Sequence, residues 1–133
     1  MGFIEWTAAL SIGIDEIDEQ HKVLVGLINR LEEARASGIA RKALGSIVSE
    51  LGEYAQTHFA LEEKRFEECS YPGVASHKVE HDVFVARMVE FERAFAKRKE
   101  EVSSELLTFL RVWLTRHISF SDRKYKPYLI RKR

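Results

Sequence analysis

The chain has 133 residues, 45% hydrophobic and 32% charged, which is the make-up of one globular domain with a single core. Lys and Arg total 21 and Asp and Glu also total 21, so the balance carries no electrostatic signature of a nucleic-acid or anionic-membrane partner. Cys69 is the only cysteine, which excludes an internal disulfide and with it the small disulfide-stapled secreted scaffold.

In chain order, residues 1–17 read as an irregular N-terminal arm whose Trp6, Leu10, Ile12 and Ile14 pack across the rest of the fold. Met1 to Asp18 has neither the basic nor the long apolar stretch of a signal peptide, and Trp6 stands where a myristoylation pattern requires Ser or Thr. No run approaches the ~20 apolar residues that span a bilayer. The expectation is a cytoplasmic protein with no membrane insertion.

A first helix is predicted over about 18–37, with Asp18 as N-cap and His21, Leu24, Val25, Ile28 and Leu31 along one face. It ends at Ser37–Gly38, where glycine suits a left-handed C-terminal position. A second helix over about 40–68 carries Leu44, Ile47, Val48, Leu51, Tyr54, Ala55, His58, Phe59, Glu62 and Phe66 on its stripe. Tyr71-Pro72-Gly73 breaks the chain, and Pro72 is expected in the first turn of a third helix over about 72–97, with His77, His81, Phe84, Val85, Met88, Phe91 and Phe95. A fourth helix over about 103–121, capped by Ser103 or Ser104, shows Leu106, Leu107, Leu110, Trp113, Leu114 and His117, with Pro127 beyond its end. Period-two alternation is absent. Long helices joined by short connections make an all-α, up-down-up-down antiparallel four-helix bundle, spanning 1–133 as a single domain. A three-helix bundle with a docked fourth helix is the alternative.

All five histidines fall at spacings that build a metal site. His58 precedes Glu62 by four residues and His77 precedes His81 by four, so each pair shares one helix face. His117 precedes Asp122 by five, which an ideal α-helix would turn apart. They meet only if the helix ends, tightens or bulges within Ser119–Asp122. Taken singly, each histidine has an ordinary explanation as a satisfied core residue, and Glu63 beside Glu62 reads as a solvated control. Taken together, five imidazoles and two carboxylates on inward faces would each cost several kcal/mol or more if unsatisfied. A domain with ~5–15 kcal/mol of net stability cannot carry that. Metal coordination removes the cost. Seven ligands exceed one tetrahedral zinc, and the imidazole-rich mixture suits first-row metals such as iron, held as a bridged pair. Spacing alone leaves copper and zinc open.

These residues resemble the hemerythrins, in particular the single-domain bacterial ones. The likeness runs through Trp6, Ser11-Ile12-Gly13-Ile14-Asp15 and Ile17-Asp18-Glu19-Gln20-His21, then His58-Phe59-Ala60-Leu61-Glu62-Glu63, His77-Lys78-Val79-Glu80-His81, and His117-Ile118 through Asp122. The resemblance implies two iron ions. His77, His81 and His117 would bind one, His21 and His58 the other, with Glu62, Asp122 and an oxo or hydroxo group bridging them. If both irons are six-coordinate, a single position stays open, on the iron with two histidines. The implied activity is reversible dioxygen binding for transport, storage or delivery to an oxygen-consuming enzyme, and not catalysis. Leu24, Phe59, Trp113, Leu114 and Ile118, about one turn from the ligands, would wall the oxygen pocket. Competing readings are an oxygen- or redox-sensing module, a di-iron oxidoreductase acting on peroxide or nitric oxide, and iron storage or zinc binding.

Overall fold

The computed structural model describes residues 3–38, 41–96 and 104–131. Among them there are helices and no strands: α1 (Asp15–Ala36), α2 (Arg41–Cys69), α3 (Val74–Ala96), α4 (Ser104–Arg116) and α5 (Arg123–Arg131). A π-helical turn, His117–Asp122, joins α4 to α5, so the two form one continuous rod. α1 packs along α2, α2 along α3, and α1 along α4, which makes the up-down-up-down four-helix bundle. No helix is long and apolar enough to cross a membrane.

The periodic apolar positions become the core. Leu24, Ile28 and Leu31 of α1, Val48, Leu51 and Ala55 of α2, Phe84, Met88 and Phe91 of α3, and Leu107, Leu110 and Leu114 of α4 are all buried. Gly38 closes α1 at φ +70, the left-handed position expected of it. The polar cluster sits at the opposite end from this loop. It is drawn from the N-terminal halves of α1 and α3, the C-terminal half of α2, and the far end of α4.

Several boundaries differ from the sequence reading. α1 begins at Asp15, not Asp18, and Ile14 precedes it with no side-chain cap. Asp18 is instead a buried staple, accepting from Ser11 Oγ at 2.6 Å and from the Ile12 amide at 2.9 Å. It ties the N-terminal arm to α1. Asn29 adds a second tie, accepting from the Ile4 amide at 2.7 Å and donating to its carbonyl at 2.9 Å. The arm is not wholly irregular, because Ala8–Leu10 form a short 3-10 turn. Pro72 lies in the turn before α3, which starts at Val74. Of the two proposed caps of α4, Ser103 lies outside the described residues. Pro127 lies within α5 rather than beyond the last helix. It forfeits one backbone hydrogen bond there, and the buried Tyr125 next to it helps hold the segment on the bundle.

Candidate metal centre

His21 stands near the start of α1, His58 and Glu62 one turn apart on α2, His77 and His81 one turn apart on α3, and His117 and Asp122 at the two ends of the π-helical turn. The helix departs from α geometry at His117, two residues before the stretch where the sequence required it. Its wider winding brings a residue five positions on back beneath the first. All seven side chains are buried, none more than 3% exposed.

They form two adjoining groups. Glu62, His77, His81 and His117 offer ligand atoms within 4.8 Å of one another, and so do His21, His58, Glu62 and Asp122. Each carboxylate turns one oxygen to each side. Glu62 Oε1 lies 3.0 Å from His81 Nε2 and 3.6 Å from His77 Nε2, while its Oε2 lies 3.5 Å from His58 Nε2 and 3.8 Å from His21 Nε2. Asp122 Oδ1 lies 2.8 Å from His77 Nε2 and 3.0 Å from His117 Nε2, and its Oδ2 lies 3.0 Å from His21 Nε2.

Despite these distances, Nε2 of His21, His58, His77 and His117 and both oxygens of Asp122 are buried without a hydrogen bond to any described residue. Native interiors rarely leave such atoms unpaired, at ~1–3 kcal/mol each. Cations within reach of every one of them would satisfy the whole set. Five imidazoles with two carboxylates suit a first-row transition metal, whereas magnesium and calcium prefer all-oxygen cages.

The outer faces of three imidazoles are held from behind. His58 Nδ1 meets Gln20 Oε1 at 2.6 Å, His81 Nδ1 meets Glu63 Oε2 at 3.0 Å, and His117 Nδ1 meets Glu80 Oε1 at 2.8 Å. Each contact places the ring proton on Nδ1 and frees the Nε2 lone pair for a metal. Ser121 donates to the same Glu80 oxygen at 2.6 Å. Tyr125, fully buried, donates to Glu62 Oε2 at 2.5 Å. Glu63 is therefore a partner of the site and not the solvated control that its position beside Glu62 suggested.

The charges of the site bear on one another. Burial pushes the Glu62 carboxyl up, but the imidazoles of His58, His117 and His77 outweigh it and hold it well below the usual carboxylate range. Asp122 is likewise lowered, with burial and Glu62 opposing and His117 and His21 prevailing. Burial depresses His77 and His117, yet the facing carboxylates raise both. Glu80 is lowered to about 2, chiefly by its bond to His117. Burial and the neighbouring carboxylates push the Tyr125 phenol well up, so it stays protonated and donates.

The other residues singled out in the sequence surround this cluster. Leu24, Leu114 and Ile118 are buried within a turn of His21 or His117. Phe59 stacks on His81, ring centres 4.0 Å apart, and Trp113 on His117 at 4.5 Å, so both cover imidazoles of the three-histidine group. Sequence reasoning missed Gln20, Glu63, Glu80, Ser121 and Tyr125. A signal existed for four of them, since Gln20, Glu63, Glu80 and Ser121 each lie next to a ligand in the sequence.

A model of the hemerythrin HHE cation binding domain matches residues 12–129. The chain belongs to the hemerythrin family. It is 40% identical to a bacteriohemerythrin of Stenotrophomonas maltophilia (strain R551-3) over 94% of this chain and 80% of that one. A bacteriohemerythrin of Methylococcus capsulatus (strain Bath) is 32% identical over 97% of this chain and 98% of its own. The crystal structure of a wild-type hemerythrin superposes with a TM-score of 0.90 at 32% identity, covering 96% of this chain and 98% of that one. The hemerythrin fold therefore extends over nearly the whole chain, and its buried His, Glu and Asp groups can hold metal.

Proposed function

We propose that this hemerythrin binds dioxygen reversibly at a pair of iron ions and serves as an oxygen carrier, store or delivery protein. One observation carries the reading: two adjoining buried ligand groups share Glu62, and Nε2 of His21, His58, His77 and His117 and both Asp122 oxygens have no hydrogen-bond partner among the described residues. His77, His81 and His117 would hold one ion and His21 and His58 the other. Glu62 and Asp122, each with one oxygen toward either side, would hold both. Bound iron supplies the electrons and the coordination site that dioxygen needs.

The rest falls to the chain. The imidazoles are neutral ligands, which keeps the centre's total anionic charge low, and His58, His81 and His117 are fixed in orientation from outside. Tyr125 holds a proton against Glu62 Oε2, the oxygen turned toward His21 and His58. Leu24, Leu114 and Ile118, with Phe59 and Trp113 over the opposite imidazoles, would keep water from the centre. An oxygen-consuming enzyme in the cytoplasm would be the recipient.

The test is an absorption spectrum of iron-loaded, anaerobically reduced protein, taken before oxygen, after oxygen, and after degassing. Charge-transfer bands that appear and then vanish on degassing support reversible binding. Irreversible conversion to the ferric protein would replace this reading with a redox or sensing role.

A further inference from the structure

The two halves of the centre differ in what stands behind their histidines. On the three-histidine side, His81 and His117 each meet a carboxylate at Nδ1, Glu63 at 3.0 Å and Glu80 at 2.8 Å. On the two-histidine side, His58 meets the neutral amide oxygen of Gln20 at 2.6 Å, and His21 Nδ1 is buried with no hydrogen-bond partner among the described residues. A carboxylate accepting from Nδ1–H draws the ring proton outward, makes Nε2 a stronger donor, and adds negative charge near the ion. An amide does far less, and an absent partner nothing.

Building on the di-iron reading above, we propose that Glu63 and Glu80 make the two metal positions electronically unequal. The position of His77, His81 and His117 is oxidised first, and the position of His21 and His58 stays ferrous the longer. Glu63 and Glu80 are positioning residues: they act through His81 and His117 and touch no metal. Ser121 fixes Glu80 by donating to the oxygen that His117 also uses. In this arrangement, loss of one electron to an outer-sphere oxidant of the ferricyanide class leaves a ferric ion on the anion-backed side. The electron that remains available sits where a ligand would enter.

The consequence is measurable without dioxygen. Two potentials that lie far apart give a well-populated mixed-valent state during an anaerobic redox titration. The Glu80→Gln variant keeps an acceptor for His117 and removes the charge. Gln20→Glu keeps an acceptor for His58 and adds a charge on the other side. Both narrow the difference between the two positions. The comproportionation constant, read from the mixed-valent EPR signal at the titration midpoint, is expected to fall about 10-fold in each, the low end of what loss of an outer partner does to metal binding. Iron content is measured on every sample. Where one variant loses iron, the other decides. If both irons are retained and the mixed-valent population is the same as in the unaltered chain, the proposal is overturned and the di-iron reading stands. Fewer than two irons in the unaltered, fully loaded chain overturns that reading itself.

Discussion

Tyr125 donates its phenolic hydrogen to Glu62 Oε2 at 2.5 Å, and neither side chain is exposed to solvent. The contact joins the last helix to α2 at the oxygen that also faces His21 and His58. Tyr125→Phe keeps the ring and removes the donor. A hydrogen bond to a buried charged group is worth ~1.5–3 kcal/mol. Chemical unfolding of the metal-free variant should show a loss of that size. The loss should shrink in the metal-loaded protein, where the cations compensate Glu62. Equal losses with and without metal would separate the phenol from the centre.

Metal-free protein should respond to pH through His77 and His117. Burial depresses both, but the carboxylates facing them raise both above the ordinary 6.5. A group whose folded-state value is raised stabilises fully below its unfolded value and loses that contribution as pH rises through the folded one. The thermal midpoint of the metal-free chain should therefore fall as pH climbs above about 6.5. Glu62 and Asp122 act the other way: both are lowered, so their contribution is lost only in acid, as pH falls through their folded values. Metal must displace the imidazole protons, so uptake should release protons and tighten as pH rises. Calorimetry in two buffers of different ionisation heat checks the release. A metal-free midpoint that is flat above pH 6.5 would contradict it.

Glu62 belongs to both ligand groups. Glu62→Ala should therefore impair both metal positions together, whereas His58→Ala should impair chiefly the one shared with His21. Metal content per chain, measured by plasma emission after reconstitution, distinguishes them. Full occupancy in Glu62→Ala would remove that residue from the ligand set.

Leu114 is 3% exposed and lies one turn before His117. Leu114→Ala opens a cavity, at a cost of ~2–5 kcal/mol for a buried leucine. It should also admit water and hasten decay of the oxygenated spectrum. An unchanged decay rate in a folded variant would take Leu114 out of the pocket wall.

The bundle was legible because its apolar residues recur with the helical period, and the inward imidazoles because His58/Glu62 and His77/His81 obey the same period. Asp122 was legible only as a contradiction: a spacing of five demands a local departure from α geometry, and the π-helical turn provides it. The outer partners were hidden for a physical reason. Glu63 and Glu80 are acidic residues on partly exposed helix faces, and nothing in one helix's pattern shows that an imidazole from another helix lies against it. Asp18 was misread because an acidic residue near a helix start has the look of a cap, and only the folded arm reveals it accepting from Ser11 and Ile12. Tyr125 was obscured by Pro127, which reads as the end of a helix although the helix continues through it.

The wide turn at His117–Asp122 also decides where Tyr125 can reach. In an unbroken α-helix, eight positions of advance would leave Tyr125 about 80° around the axis from His117. One surplus residue absorbed in the turn takes up most of that angle, so the insertion that swings Asp122 inward delivers the phenol to Glu62 as well. The final rod behaves like a keyed shaft. Were the same residues wound as plain α-helix, a carboxylate and a phenol would rotate out of register in a single step.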